Sequence, residues 1–178
     1  MKDIEDAFHA VAEQIVSGRS SLLPEQHPIV TKFFALWVWR ARLQHDPIAD
    51  QAIAGVAGEP LTKDHQEGLE VEGRVYVRSD QTMPGRFLAG VQGLQEIDAV
   101  SAEFEGRRWG VVRAAEGEFI CPDTFGQLAA VPVTPTICLC RDHQDSVIPK
   151  CEVGRANRSA QQSARRYCIA RDFAACPV

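Results

Sequence analysis

Apolar residues recur at helical spacing in the first part of the chain. Between Asp3 and Val16 they recur every three or four positions, and Gly18 follows as a natural helix end. These residues are Ile4, Phe8, Val11 and Ile15. Pro28 can open a second helix, because the first helical position needs no amide hydrogen. This helix extends to about Gln44 and is apolar nearly all round, which predicts a place inside the core.

The pattern between residues 47 and 105 is weaker. A short helix is predicted over residues 47–56, and a longer one over residues 87–100, where Gly90 and Gly93 weaken the pattern. Residues 61–85 are the least readable part of the chain, since the residues Val71, Arg74, Val75 and Val77 fit either a strand or a helix. Residues 79–85 have the composition of a surface loop.

From residue 107 the pattern is typical of strands. Residues 109–114 form a strand candidate, Glu116 and Gly117 provide a turn, and residues 119–121 are expected to return as its hairpin partner. Residues 128–135 follow, where the prolines fit an edge or entry position better than a central strand. A strand over 136–140, a helix over 153–164 and a strand over 167–170 complete the chain.

These elements predict an α+β fold. N-terminal helices, about residues 1–105, are expected to pack on a C-terminal antiparallel sheet, about residues 106–178. One domain covering residues 1–178 is the simplest organisation, since the chain contains no repeat and no low-complexity linker.

Composition adds limits on the class of protein. The chain has 178 residues, and its net charge of -5 argues against broad nonspecific binding of nucleic acid without excluding a local basic patch. The most apolar segment, residues 33–39, is far shorter than a membrane span and is closed by Arg40. The N-terminus is acidic and lacks a signal-peptide core. We therefore expect an acidic cytoplasmic protein without a membrane partner, whose six cysteines are reduced.

Several stretches of the C-terminal half occur in a recognisable order. They are the Trp109 strand, the turn over residues 119–124, the strand entry over residues 131–135, Asn157, and the Arg165-Arg166-Tyr167 stretch. Together with a helix ending in residues 39–42, they resemble a widespread bacterial family known as domain of unknown function 4238. The family has no settled activity, so the resemblance implies none.

This chain departs from the pattern of the family at two places. Thr124 and Phe125 replace the asparagine and proline that follow the turn aspartate in the family. The N-terminal His-His-Tyr-Val-Pro stretch of the family is missing, and any site to which that stretch contributes would be lost here.

A polar set is the first candidate site. Asp123 follows a strand end, and Asn157, Arg165 and Arg166 come later in the chain; Arg40 is added as a further candidate binding residue. Paired arginines can bind a phosphate in a fork. The alternative is that Asp123 caps a turn and that the arginines are solvated or pair with it.

Sulfur and imidazole groups form the second candidate. Cys138 and Cys140 face the same side of a strand, and with His143 and Cys151 they could hold zinc. The spacing matches no common zinc finger, and free cysteines are frequent core residues, so the preferred expectation is no cofactor.

Cys121 is a candidate nucleophile, with His143 or His65 as its base. The alternative is a buried strand cysteine without a chemical role, which is the commoner situation for this residue type. No local spacing pairs the thiol with either imidazole, so the two interpretations stay open at this point.

Two functions remain open. The preferred hypothesis is a non-catalytic protein-binding module, in a phage–host or defence context, whose acidic first helix faces a basic protein partner. The alternative is an enzyme acting on a phosphate-bearing substrate such as a nucleic acid or nucleotide, through the Asp123 set. The chain lacks a Walker loop, a dinucleotide-binding glycine motif after a strand, a His-Glu-x-x-His motif and a nucleophile elbow. One carboxylate is also too few for typical metal-assisted phosphoryl chemistry.

Overall fold

The computed structural model describes residues 1–56, 58–124 and 129–178, and the fold is α+β. The helices are α1 (Lys2–Val16), α2 (His27–His45), α3 (Lys63–Val71), α4 (Ala89–Glu103) and α5 (Lys150–Ser163). The strands are β1 (Gln51–Ala52), β2 (Thr82–Met83), β3 (Trp109–Ala114), β4 (Cys121–Pro122), β5 (Ala130–Thr134), β6 (Ile137–Arg141), β7 (Ser146–Ile148) and β8 (Cys168–Ile169). No helix among these residues is both long enough and apolar enough to cross a membrane.

A four-stranded sheet with the order β5-β6-β3-β7 lies at the centre of the larger part of the molecule. The β5–β6 and β6–β3 pairs are antiparallel, with Val111 opposite Leu139. The β3–β7 pair is parallel, with Val112 opposite Ser146, which departs from the wholly antiparallel sheet that the sequence predicts.

The parallel pair arises because the chain crosses over the start of β3 after leaving β6. A Cβ atom at Gly110 would lie 2.2 Å from the backbone oxygen of His143, so the crossing segment passes over a position where only glycine fits. Asp145 then accepts a hydrogen bond from the Val111 amide at 2.7 Å, which fixes the segment before β7 begins.

Both faces of the sheet are covered. On one face, Trp109, Val111 and Leu139 share a buried cluster with residues of α1 and α2, among them Phe8 and Phe34. On the other face, a second buried cluster joins the sheet to α5. It contains Val153 of α5 and, from the strands, Val112, Ala130, Cys138 and Ile148. A strand buried on both faces has an almost continuous apolar sequence, as β3 does, instead of an alternating one.

The start of β3 is held by the start of α2. His27 Nδ1 accepts a hydrogen bond from the Trp109 amide at 3.1 Å, and the Trp109 indole donates to Thr31 Oγ1 at 2.9 Å. Burial lowers the pKa of His27, and the positive charge of Arg108 lowers it further, whereas Asp145 acts in the opposite direction. His27 is therefore neutral near pH 7, and because Nδ1 is an acceptor, its proton is on Nε2.

The chain divides into two compact units, residues 1–41 with 97–178, and residues 42–96. This division does not follow the predicted helical and sheet-rich parts, because the middle of the chain forms its own unit. In that unit β1 and β2 pair in antiparallel fashion, and the Tyr76 hydroxyl lies within 2.9 Å of both Gln66 and Glu70. The prediction of a single domain stays a prediction.

Two local predictions are wrong, and both errors have the same cause. Residues 47–56 do not form a helix, because Ala52 pairs with Thr82 and the Asp50 carboxylate accepts from the Gly85 amide at 3.0 Å. Residues 119–121 are not the hairpin partner of β3, whose edges are occupied by β6 and β7; β4 pairs with β8 instead. In both segments, pairing with residues distant in the sequence determines the secondary structure.

His27→Asn tests the bond between α2 and β3. The folded-state pKa of His27 lies below the usual 6.5, so below about pH 6.5 the unfolded chain binds more protons and stability falls as the pH is lowered. Asparagine can keep an acceptor near the position of Nδ1 but does not titrate. We expect thermal unfolding between pH 7 and pH 5 to show a smaller loss of stability in His27→Asn than in the wild type; equal losses would contradict the assignment.

Candidate functional site

Asp123 lies directly after β4, and its carboxylate contacts backbone. Its two oxygens accept hydrogen bonds from the amides of Arg165 at 2.8 Å and Arg166 at 3.0 Å. The structure therefore brings Asp123 together with both predicted arginines. The Asp123 contacts to the two backbone amides agree with the turn-capping alternative, and both arginine residues are exposed.

Asn157 is a structural clamp on α5, with 1% of its surface exposed. Its side-chain oxygen accepts from the Ile120 amide at 2.9 Å, and its nitrogen donates to the carbonyls of Glu118 and Pro177, both at 2.8 Å. The side chain thus ties α5 to the segment before β4 and to the C-terminal segment. These three bonds engage both ends of the amide with protein backbone.

Arg40 forms a contact elsewhere in the fold. It lies on α2 and forms an ion pair with Glu5 of α1 at 2.6 Å. Hydrogen bonding to Arg40 lowers the pKa of Glu5. The structure places Arg40 against α1, where it joins two helices, and not against Asp123.

The predicted geometry of the cysteine pair is confirmed, but the four candidate zinc ligands do not assemble. Cys138 and Cys140 share one face of β6 with their sulfur atoms 3.7 Å apart. His143 Nδ1 lies 2.8 Å from the Gln144 carbonyl, and Cys151 is exposed at the start of α5. Among the residues described, no group of three or more His, Cys, Asp or Glu is arranged to hold a metal ion. Zinc stays a low-ranked prediction.

Cys121 lies on β4 and is half-buried. Burial, with a contribution from neighbouring Cys168, raises the pKa of the Cys121 thiol to about 11. The thiol is consequently protonated near pH 7, which disfavours nucleophilic attack.

The segment after α5 presents an exposed surface that we name the C-terminal strip. It consists of Arg165, Arg166, Tyr167, Ile169, Arg171 and Phe173. Tyr167, Ile169 and Phe173 expose 47%, 58% and 58% of their surface. Cys168 and Ala170, which alternate with them, are half-buried. Three large apolar side chains are thus exposed within one short segment.

The outer edge of β8 has no partner strand among the described residues. Among the described strands, β8 pairs only with β4. The Asp123 amide donates to the Tyr167 carbonyl at 3.1 Å, so the neighbouring Pro122–Cys168 pair is the non-hydrogen-bonded kind. The amide and carbonyl of Cys168 therefore point away from β4, as unpaired groups of an edge strand do.

The C-terminal strip carries exposed arginines, although the whole chain is acidic. It contains three arginines, whereas the chain carries a net charge of -5. Arg171 forms an ion pair with buried Glu118, whose second carboxylate oxygen has no hydrogen-bond partner in the described part of the chain. Asp172 accepts from the Ala174 amide at 2.9 Å. Sequence reasoning found Arg165 and Arg166 but missed the apolar members, because a strand pattern does not indicate which face stays uncovered.

Comparisons with known proteins add no further constraint on this site. No family model, curated protein or solved structure matches the chain. The resemblance to domain of unknown function 4238 stays a prediction. Two residues at the turn differ from the family: Thr124 donates a hydrogen bond to the Ser163 carbonyl at 2.5 Å, and Phe125 lies outside the described residues.

Asn157→Ala tests the clamp on α5. The variant removes three hydrogen bonds and leaves buried backbone groups without partners, so we expect a loss of about 2–4 kcal/mol in the free energy of unfolding. Denaturant titration followed by circular dichroism measures this loss. Ser159→Ala, at a half-buried position of the same helix, is the matched control and should be nearly neutral, because its hydroxyl donates to the Arg155 carbonyl of its own helix; equal effects would show that Asn157 is not a clamp.

Alkylation of the native protein tests the assignments of the thiols. Iodoacetamide at pH 7.5 should modify exposed Cys151 faster than Cys121 or Cys138, because Cys121 has a pKa of about 11 and Cys138 is buried. Peptide mass mapping over time measures each rate, and denatured protein provides the control in which all sites react. Modification of Cys121 as fast as that of Cys151 would instead support a reactive thiol.

Proposed function

We propose that this chain is a non-catalytic protein-binding module that takes an extended, acidic segment of a protein partner along the outer edge of β8. The observation that supports this most directly is the C-terminal strip, where exposed apolar side chains and arginines flank an open strand edge. This binding surface differs from the one predicted on the acidic helix α1, where Glu5 is already paired with Arg40.

Strand addition explains how such a segment would be held. Backbone groups of the partner pair with the amide and carbonyl of Cys168, which gives affinity without a deep pocket. Apolar side chains of the partner pack on Tyr167 and Ile169, which project from the exposed face. Carboxylates of the partner pair with Arg166, whose side chain is exposed, and such charge-assisted hydrogen bonds are stronger than neutral ones.

The enzyme alternative has less support. It depends on Asp123 and Asn157, and both side chains hydrogen-bond to backbone groups of this chain. Nucleic acid is also less favoured as a partner, because the chain is acidic overall and the strip offers a strand edge that a peptide backbone matches.

Selection from a displayed library of random twelve-residue peptides tests the proposal. We expect enrichment of peptides that combine Asp or Glu with alternating apolar residues. Ile169→Lys and Arg166→Glu should each weaken a selected peptide at least tenfold in a fluorescence anisotropy titration. N-methylation of alternate peptide amides should abolish binding, since strand addition needs those donors. Val147→Lys, at an exposed position of edge strand β7, is the matched control and should bind normally.

Three results would contradict the proposal. The first is enrichment without acidic residues, or no enrichment. The second is binding that Ile169→Lys leaves unchanged. The third is tight binding of single-stranded oligonucleotides that Arg166→Glu abolishes, which would assign the C-terminal strip to nucleic acid.

A further inference from the structure

Two cysteines lie side by side on the inner strand β6. Cys138 and Cys140 share the face of the strand that packs on α5, and their sulfur atoms are 3.7 Å apart. The backbone that sets this separation is held on both edges of β6, where Cys140 lies opposite Gly110 of β3 and Ala130 of β5. The pair is therefore a preformed dithiol whose two sulfurs can bind one shared atom.

The separation of the two sulfurs selects the geometry at the shared atom. With bonds of about 2.3 Å from each thiolate, sulfurs 3.7 Å apart subtend an angle of about 107° at that atom. A linear two-coordinate ion with the same bonds would need sulfurs about 4.6 Å apart. A disulfide would need them at about 2.05 Å, and hence a movement of the strand. The pair as it stands fits a bent centre.

The surroundings of the pair add no further protein ligand. Among the described residues, no group of three His, Cys, Asp or Glu is arranged to hold a metal ion. The pocket beside both cysteines has a volume of about 50 Å³ and a mainly apolar lining, which includes Phe119 and Pro132. Asn157, the polar lining residue besides the cysteines, is engaged with backbone groups. Zinc would lack two of its four ligands here, whereas a centre that carries its own third substituent would lack none.

Trivalent arsenic has the properties that this pair requires. It is soft, so it prefers thiolates to oxygen ligands, and it forms three bonds in a pyramid with angles close to the one given above. When it replaces the two thiol protons, the product is neutral, and a neutral group is far less costly to bury than a charged one. A monovalent copper ion between two thiolates would instead leave a negative charge in the apolar pocket.

Cys140 is the thiol at which capture begins. It is half-buried, whereas Cys138 exposes only 4% of its surface. Cys140 also lines a second, open pocket beside α5, with a volume of about 380 Å³, which provides an entry path and room for a third substituent. Hydrogen bonding to Cys138 lowers the pKa of the Cys140 thiol, against the effect of burial. A lower pKa increases the thiolate fraction, which is the nucleophilic form.

We propose that Cys138 and Cys140 capture trivalent arsenic, as arsenite or as a monosubstituted arsenical. The Cys140 sulfur attacks the arsenic first, and the Cys138 sulfur attacks it second. With arsenite, two arsenic–oxygen bonds break and two arsenic–sulfur bonds form, both thiol protons leave in two molecules of water, and the arsenic stays trivalent. No residue of the C-terminal strip takes part, so this site goes beyond the proposed protein binding and is independent of it.

Titration of the reduced full chain with arsenite tests the site. Native mass spectrometry should show one arsenic per chain with the loss of two waters, and peptide mapping should place the arsenic on β6. Cys140→Ser and Cys138→Ser should each weaken capture at least tenfold, because a single thiolate forms only one of the two bonds. Cys151→Ser and Cys168→Ser are the matched controls and should capture arsenite as the wild type does. Circular dichroism checks that each variant is folded.

Thermal unfolding separates capture by the native pair from capture by an opened strand. A ligand that binds the folded chain more tightly than the unfolded chain stabilises it, so arsenite should leave Tm unchanged or raise it. A parallel titration with phenylarsine oxide distinguishes the two sources of arsenic. Tighter capture of this probe would assign the third position to an organic substituent in the open pocket, and tighter capture of arsenite would assign it to a hydroxyl group.

The site is overturned if neither probe is captured, or if both serine variants of the pair capture arsenite as the wild type does. A fall in Tm on capture would also overturn it, because the arsenic would then bind an opened strand. Stoichiometric zinc that survives dialysis and blocks arsenite would assign the pair to a metal ion instead. Ile169→Lys should leave arsenite capture unchanged, and Cys140→Ser should leave peptide affinity unchanged, so failure of one proposal does not imply failure of the other.

Discussion

The burial of strand β3 on all sides is the constraint on which most of the larger unit depends. Its two edges are paired with β6 and β7, and its two faces lie in separate buried clusters. One face is covered by α1 and α2, and the other is covered by α5. The crossing segment has to pass over Gly110 to reach the second edge, because the first edge is already occupied by β6.

Several polar side chains in this unit hold backbone groups. Asp145 holds the Val111 amide, His27 holds the Trp109 amide, and Asn157 holds three groups around β4. Such bonds are needed because irregular segments cannot pair their own amides and carbonyls inside a fold. Polar residues that look like a catalytic set in the sequence are therefore engaged by the fold, which shifts attention to surfaces.

Local patterns predicted what local forces determine. The periodicity of Phe8, Val11 and Ile15 identified α1, and the apolar run beginning at Trp109 identified β3, because each buries the face that its pattern marks. The β1–β2 ribbon, the β4–β8 pair and the parallel β7 could not be read, since each depends on a partner chosen by the whole fold. The role of His27 could not be predicted for the same reason. Its tautomer depends on Trp109, 82 residues away.

Asp123 and β4 hold the backbone of the C-terminal strip in place. Asp123 fixes the amides of Arg165 and Arg166, and β4 pairs with β8, so the exposed side chains stand on a segment whose backbone is held. A surface held in its binding conformation loses little conformational entropy when a partner is bound, which raises affinity without adding contacts. If the strip binds a partner as proposed, the carboxylate at position 123 would contribute by positioning the strip, although it lies beneath the surface that a partner would contact.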